Sequence, residues 1–282
     1  MISAATGGSV IHRILIDVKG VQACQHYLAG NKFPSRLTSF LASLQAIENT
    51  EVAFSANIWR FLPKLPRVLQ LSLVTIVYFF PFLGRFIQTP ISSDDLDGSD
   101  LLIITTRSRL FPYHDSELTA IERFVHDGGA LLLMANHSSV PGMMAADFTT
   151  QDSRLAELFG VGLVRACFHC PDELSKIEIR NEQFSIGSIL VNNCCAISKQ
   201  SKGMPIAVLN HAMKDMGSEG LIPDDKLFAV AIDNESDGRV VVVADSGFIC
   251  EPNVAAIGPG LYDRADNSTF AKSVVLWLLR QV

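Results

Sequence analysis

Basic charge is scarce in this chain. Its 282 residues hold 23 Lys and Arg against 29 Asp and Glu, a formal net charge of -6, and the pI is near 5.6. Phosphate binding needs Lys and Arg gathered on one face, so nucleic acid is not the expected partner. Cysteine is scarce too. The six residues Cys24, Cys167, Cys170, Cys194, Cys195 and Cys250 are too few for a disulfide scaffold at this length. Met1 to Val10 lack the basic and apolar regions of a secretory signal. Reduced thiols in a cytoplasmic compartment are therefore the expectation, and the sequons at Asn136, Asn234 and Asn267 are read as chance matches. No P-loop, Gly-x-Ser-x-Gly elbow, His-Glu-x-x-His or Gly-x-Gly-x-x-Gly motif occurs, and Gly258-Pro-Gly260 is only half of the last. No cofactor is implied. Internal repeats and low-complexity tracts are also missing.

Apolar residues are plentiful: they make up 48% of the chain, with 18% charged. That balance excludes a disordered chain and supports a substantial core. Ile11–Ile16 is a β-branched run ending at Asp17, as in a buried parallel strand. Leu37, Phe40, Leu41 and Leu44 share one stripe of a helix. Glu51–Ala56 and Leu101–Thr105 are further strands. A helix over Ser116–His126 is capped by His114 or Asp115 and stopped by Gly128-Gly129, and strand Ala130–Ala135 follows at once. Phe159–Val164 is the next strand candidate, and short strands follow at Ile177–Ile179, Phe184–Val191 and Ile206–Leu209. Lys226–Ile232 and Arg239–Ala244 form a hairpin around Asn234-Glu-Ser-Asp-Gly238. A helix over Phe270–Leu279, capped by Asn267 or Ser268, closes the chain with Phe270, Val274, Trp277 and Leu278 inward.

Alternating strands and helices imply a mostly parallel sheet covered on both faces. The expected fold is α/β, flavodoxin-like and doubly wound, with an antiparallel hairpin at one edge. One domain over residues 1–282 is expected, with an apolar insertion over 61–90 between strands two and three.

The stretch from Asp100 to Thr106, followed by His114 to His137 with its Phe124-Val-x-x-Gly-Gly129 helix–turn–strand, resembles the class I glutamine amidotransferase-like superfold. More narrowly, it resembles the noncatalytic branch of DUF4350-type and ThuA-like proteins and the amidotransferase-like domain of gliding-motility and intraflagellar-transport proteins. Asp152 to Gly160, Gly238 to Gly247 and Asp266 to Leu279 fit the same group. Catalytic members carry a cysteine on a sharp turn after a central strand. Here Asn136-His137-Ser138 follows that strand, so a thiolate nucleophile is missing and glutamine hydrolysis is disfavoured.

Ligands of open α/β sheets bind outside the carboxyl ends of the strands. Those ends carry Asp17, Thr106, Arg107, Asn136, His137, Ser138, Asp245 and Ser246 as candidate ligand-binding residues. Such a set suits a polar small molecule, a carbohydrate among them, or acid–base work by Asp17, His137 and Asp245 in a hydrolase. Alternatively, Asp17 and Asp245 simply tie loops together. Asp17, Asn136, His137 and Asp245 are expected to converge on one concave surface. Cys167-Phe-His-Cys170 has a Cys-x-x-Cys spacing, with Cys194-Cys195 downstream. Adjacent cysteines rarely serve one zinc ion, and the motif does not open a helix, so small buried hydrophobes are expected and no metal.

Phe61–Ile87 is the odd segment, with seventeen residues from Val68 to Gly84 free of charge. That length is at the lower limit for a membrane span. A single crossing would divide one sheet between two sides of a bilayer, so three readings stand: a buried helix, a protein or oligomer interface, and a membrane-surface contact with Lys64, Arg67 and Arg85 at the headgroups. The leading expectation is a noncatalytic domain that binds a polar small molecule or a protein partner at the carboxyl edge. A hydrolase and a peripheral membrane protein are the alternatives.

Overall fold

The computed structural model describes residues 10–20, 23, 37–55, 90–108, 111–138, 148–170, 174–184, 187–216, 226–233, 238–251 and 261–282. Cys24, the segment Phe61–Ile87, the turn residues 234–237 and Gly258-Pro-Gly260 lie outside these described residues.

The strands are β1 (His12–Ile16), β2 (Thr50–Phe54), β3 (Leu101–Thr105), β4 (Ala130–Met134), β5 (Leu163–His169), β6 (Ser175–Ile179), β7 (Gly187–Val191), β8 (Cys194–Ile197), β9 (Met204–Val208), β10 (Lys214–Asp215), β11 (Leu227–Asp233) and β12 (Arg239–Val243). The helices are α1 (Thr38–Gln45), α2 (Ser93–Leu96), α3 (Asp115–His126), α4 (Thr149–Ala156) and α5 (Asn267–Leu278). This is a mixed α/β fold built on one large sheet.

Half of the sheet is parallel, in the order β2-β1-β3-β4-β12. Leu101 pairs with Ala130 and Leu131 with Val240, so the apolar runs lie side by side. Every residue of β3 and β4 is buried, as a sheet covered on both faces requires. Helix α3 lays Ala120, Ile121 and Val125 inward and stops at Gly128, whose φ of 103° is left-handed. In α5, Phe270, Val274, Trp277 and Leu278 are all buried.

The antiparallel part is larger than one edge hairpin. β11 joins β12 to the rest of the sheet, which continues through β8, β5 and β10, while β9 also pairs with β11 and carries β6 and β7. The hairpin expected at the edge therefore sits inside the sheet. The physical reason is visible in β11, where six consecutive residues from Leu227 to Ile232 are buried. A strand apolar on both faces belongs in the middle.

The strand expected at Phe159–Val164 is also corrected. Glu157–Phe159 tightens into a 3-10 turn ended by Gly160 at φ 75°, and β5 begins only at Leu163. Phe184 likewise closes a 3-10 turn ahead of β7.

Asn267 does not cap α5. Asp266 occupies that position, and Asn267 is buried in the first turn. Its side chain accepts from Leu190 N at 2.8 Å and donates to Leu190 O at 2.9 Å and Phe248 O at 3.1 Å. Asp266 Oδ2 accepts from Ser188 N at 2.9 Å. Together they satisfy backbone groups of β7 that no neighbouring strand reaches, which is one way to protect an edge.

Candidate functional site at the carboxyl edge

The chain leaves β1 for β2 on one side and reaches β3, β4 and β12 on the other, so the order reverses between β1 and β3. Open α/β sheets hold ligands at such a crevice. Here the protein's own side chains fill it. Arg107, fully buried, donates from Nε to Asp17 Oδ2 at 2.8 Å, and from Nη1 and Nη2 to the two Glu117 oxygens at 2.9 and 2.8 Å. Lys19 pairs with Glu117 from the other side. Asp17 Oδ1 accepts from Lys19 N at 3.2 Å and Ser55 Oγ at 3.4 Å, and Glu117 Oε1 accepts from Ile91 N at 3.0 Å. The guanidinium lies 4.0 Å above the Tyr113 ring.

Two cations and two carboxylates thus balance in a dry site. Burial would raise the Glu117 carboxyl, but the Arg107 guanidinium and the Lys19 ammonium outweigh it and hold it at about 2. Burial lowers the Lys19 pKa, and repulsion from Arg107 adds to that. Removing one member would strand the others as buried charges.

Thr106 and the Arg107 backbone face away from this group, toward α4. Thr106 Oγ1 donates to Asp152 Oδ2 at 2.5 Å and Arg107 N donates to Asp152 Oδ1 at 3.1 Å. Burial still pushes the Asp152 carboxyl up to about 7.

A second cluster follows the neighbouring strands β4 and β12. Asn136 Nδ2 donates to Ser246 Oγ at 3.1 Å, while its Oδ1 accepts from His137 N at 2.8 Å. Thr149 Oγ1 donates to Asn136 O at 3.0 Å, and Ser138 N donates to Ala166 O at 3.0 Å. His137 is half-buried, with its ring edge on Phe148 and Nδ1 2.7 Å from Ser138 O. A carbonyl only accepts, so Nδ1 carries the proton and Nε2 is the acceptor. Burial lowers the His137 pKa, against that hydrogen bond.

Asp245 is the unusual member. It is 2% exposed, and its Oδ1 accepts from Gly247 N at 2.8 Å. Its Oδ2 is buried and has no hydrogen-bond partner among the described residues. Burial pushes the carboxyl up to about 7, although the amides of Gly247, Phe248 and Ser246 favour its charged form. A buried polar oxygen without a partner is rare and calls for an explanation.

The strand ends therefore form two groups where one surface was expected. Asp17 and Arg107 belong to the filled crevice, with Thr106 at its border. Asn136, His137, Ser138, Asp245 and Ser246 form the other group. β1 and β12 are three strands apart in the sheet, which is ~14 Å at the usual strand spacing. Asp17 and Asp245 cannot both reach one reacting atom across that width. Lys19, Tyr113, Glu117 and Asp152 were not anticipated as parts of the edge. Glu117 carried a signal, because it falls on the same helical stripe as the buried Ile121 and Val125.

The described cysteines pack in or against the core. Cys194 and Cys195 are buried in β8, and burial raises both thiols well above their usual range. Cys167 lies within β5, not at a helix start, and burial followed by the Asp215 and Asp245 charges pushes its thiol up to about 12. Among the described residues, no group of His, Cys, Asp or Glu side chains is placed to hold a metal ion. Among them, too, no helix is long and apolar enough to cross a membrane.

No family model matches the sequence, and no curated protein matches it. Solved structures do resemble the fold. The mmIFT52 N-terminal domain superimposes with a TM-score of 0.62 at 11% identity, covering 94% of this chain and 97% of that one. The cytoplasmic protein STM1381 from Salmonella typhimurium LT2 gives a TM-score of 0.53 at 14% identity, covering 94% and 99%. A putative ThuA-like protein from Bacteroides uniformis gives 0.49 at 12% identity, covering 96% and 93%. Likeness at these identities extends to the fold alone. The chain thus shares the α/β fold of the mmIFT52 N-terminal domain and STM1381, with its own set of groups at the strand ends.

Proposed function

We propose that this protein is a noncatalytic amidotransferase-like domain that binds a polar small molecule at the ends of β4 and β12. The observation that carries the reading is Asp245 Oδ2, a buried carboxylate oxygen with no partner among the described residues. A ligand hydroxyl or amine that donates to this oxygen would supply what the protein does not. His137 Nε2 and Ser138 stand on the adjoining strand end, both half-buried and so open to a ligand. A polyhydroxylated molecule such as a carbohydrate suits this set, because it offers several donors at fixed spacing.

The same geometry supports the noncatalytic reading. Asn136-His137-Ser138 follows the strand after which catalytic amidotransferases of the resembled fold carry a cysteine, and the Asn136 amide is committed to Ser246 and to the His137 backbone. The hydrolase reading loses Asp17 to the filled crevice, which leaves His137 without a second carboxylate to divide acid and base roles. An oligomer contact or a membrane-surface contact through Phe61–Ile87 remains a separate proposal that vesicle flotation and sedimentation test directly.

The site reading is tested by thermal-shift titration with monosaccharides, polyols and small amines, alongside an ammonia-release assay with glutamine. Stabilisation of the wild type by one of these classes, lost in Asp245→Asn and His137→Ala, is the expected result. Ammonia release that disappears in His137→Ala would overturn the noncatalytic reading. Failure of all three classes to stabilise the wild type would overturn the binding site.

A further inference from the structure

Three residues at the start of α4 bear on the turn that carries Asn136 and His137. Thr149 Oγ1 donates to Asn136 O at 3.0 Å, and the Phe148 ring stands edge-on to the His137 ring with centroids 5.6 Å apart. Asp152, in the first turn of the helix, accepts from the Asn136 amide. Thr149 and Asp152 are both fully buried. Asp152 also holds Thr106 Oγ1 and Arg107 N, so one carboxyl ties together the ends of the neighbouring strands β3 and β4. Arg154 fastens the same helix to the start of α3, donating to Tyr113 O at 2.7 Å and to Asp115 Oδ1 at 2.8 Å.

This clamp fixes more than a backbone path. Asn136 is held at both its amide and its carbonyl, and its side chain reaches the His137 amide through Oδ1 and Ser246 through Nδ2. The His137 ring is thereby placed against Phe148, with Nδ1 2.7 Å from Ser138 O. The hydrogen bond at one ring nitrogen decides the state of the other, so Nε2 presents a lone pair.

The backbone donors of this strand end are already committed. The amides of Ser246, Gly247 and Phe248 turn to Asp245, the His137 amide to Asn136 Oδ1 and the Ser138 amide to Ala166 O. Successive amides of this kind can cradle an anion, and here the Asp245 carboxyl takes that place. The Ser138 hydroxyl can turn to either role.

We infer that Asp152 and Thr149 are positioning residues that preset His137 as a hydrogen-bond acceptor, so that this strand end takes a donor group from its ligand and refuses an anion. The inference rests on the ends of β4 and β12 being the ligand site, and it narrows the ligand to one that presents hydroxyl or ammonium hydrogens. A carboxylate or phosphate would meet the Nε2 lone pair and the Asp245 carboxyl, with the backbone amides beside them already taken.

Nitrogen-15 NMR of the His137 ring in the ligand-free protein tests this, with His137→Gln identifying the resonances. Burial lowers the His137 pKa, so the ring is neutral at about pH 7.5. Wild type should then show Nδ1 protonated and Nε2 at its unprotonated extreme, and sodium phosphate or acetate should leave Nε2 unmoved. Thr149→Val and Asp152→Asn should each shift Nε2 toward the average of the two tautomers, while Thr149→Ser should keep the wild-type value. A loss of stability without that shift is what a merely structural role would give. An averaged ring in wild type, an unchanged tautomer in folded Thr149→Val, or saturable movement of Nε2 with phosphate or acetate overturns the inference. If Asp152→Asn does not fold, the Thr149→Val and Thr149→Ser pair decides. A fixed tautomer that the variants release, in a protein that no sugar, polyol or amine stabilises, would uphold the positioning and overturn the ligand site alone.

Discussion

Replacing Asp245 with Asn tests whether a carboxylate is held in a dry place with one of its oxygens unpartnered among the described residues. Both residues can accept the Gly247 amide hydrogen at the Oδ1 position, so the backbone turn is kept. The charge is what changes. Burial raises the Asp245 pKa from its ordinary value of 3.8 to about 7, so the folded state keeps a proton that the unfolded state releases. Fewer protons are bound on unfolding, and stability must fall as pH rises between those two values. Between about pH 5 and about pH 7 the loss is roughly 3 kcal/mol, at about 1.4 kcal/mol per pKa unit, and it is constant above that. Asn cannot titrate, so it escapes this loss. Its own buried NH₂ group costs about 1–3 kcal/mol at every pH, which cancels when two pH values are compared. Urea unfolding of both proteins at about pH 5 and about pH 8.5 should therefore show Asn gaining roughly 3 kcal/mol on the wild type across that interval. Asp152, also raised to about 7, is common to both proteins and drops out. A relative gain below about 1 kcal/mol would refute the reasoning, because it would mean that the carboxylate is hydrated.

Arg107→Met should destabilise the fold by about 3–5 kcal/mol in urea, because Asp17 and Glu117 would be left with Lys19 alone. Asn267→Ala should cost about 2–4 kcal/mol, since the Leu190 amide and carbonyl and the Phe248 carbonyl lose a partner together, and amide exchange at Leu190 should rise with it. Among the described cysteines, Cys194 and Cys195 should react with an aromatic disulfide only after denaturant is added, while the less buried Cys170 and Cys250 should react first; equal rates for all would contradict the packing described for β8.

Much of the parallel half was legible in the sequence because its signals are local. Ile14 to Ile16, Leu101 to Ile104 and Ala130 to Met134 are unbroken apolar runs, and the Gly128 stop announces the end of α3. The place of the hairpin was not legible, because strand order depends on which edges pair at long range. Continuous burial of Leu227 to Ile232 is the one clue that β11 is interior. At the edge, residue types were found but not their grouping. Asp17 and Asp245 look alike in sequence, each ending an apolar strand. What separates them is Arg107, which points back between β1 and β3, and Glu117, a charged residue on the inward stripe of a helix. Partner choice among buried charges is set by three-dimensional reach, so spacing along the chain does not reveal it.

The central claim is that the carboxyl edge has a filled half, between β1 and β3, and a ligand-receiving half, at β4 and β12. Backbone amide shifts measured in a titration with the polar ligand that stabilises the protein most test it directly. The account predicts changes concentrated at residues 136–138 and 245–247, with residues 17–20 and 105–108 left in place. Changes centred on Asp17 and Arg107, or a stabilising ligand that moves neither group, would contradict it.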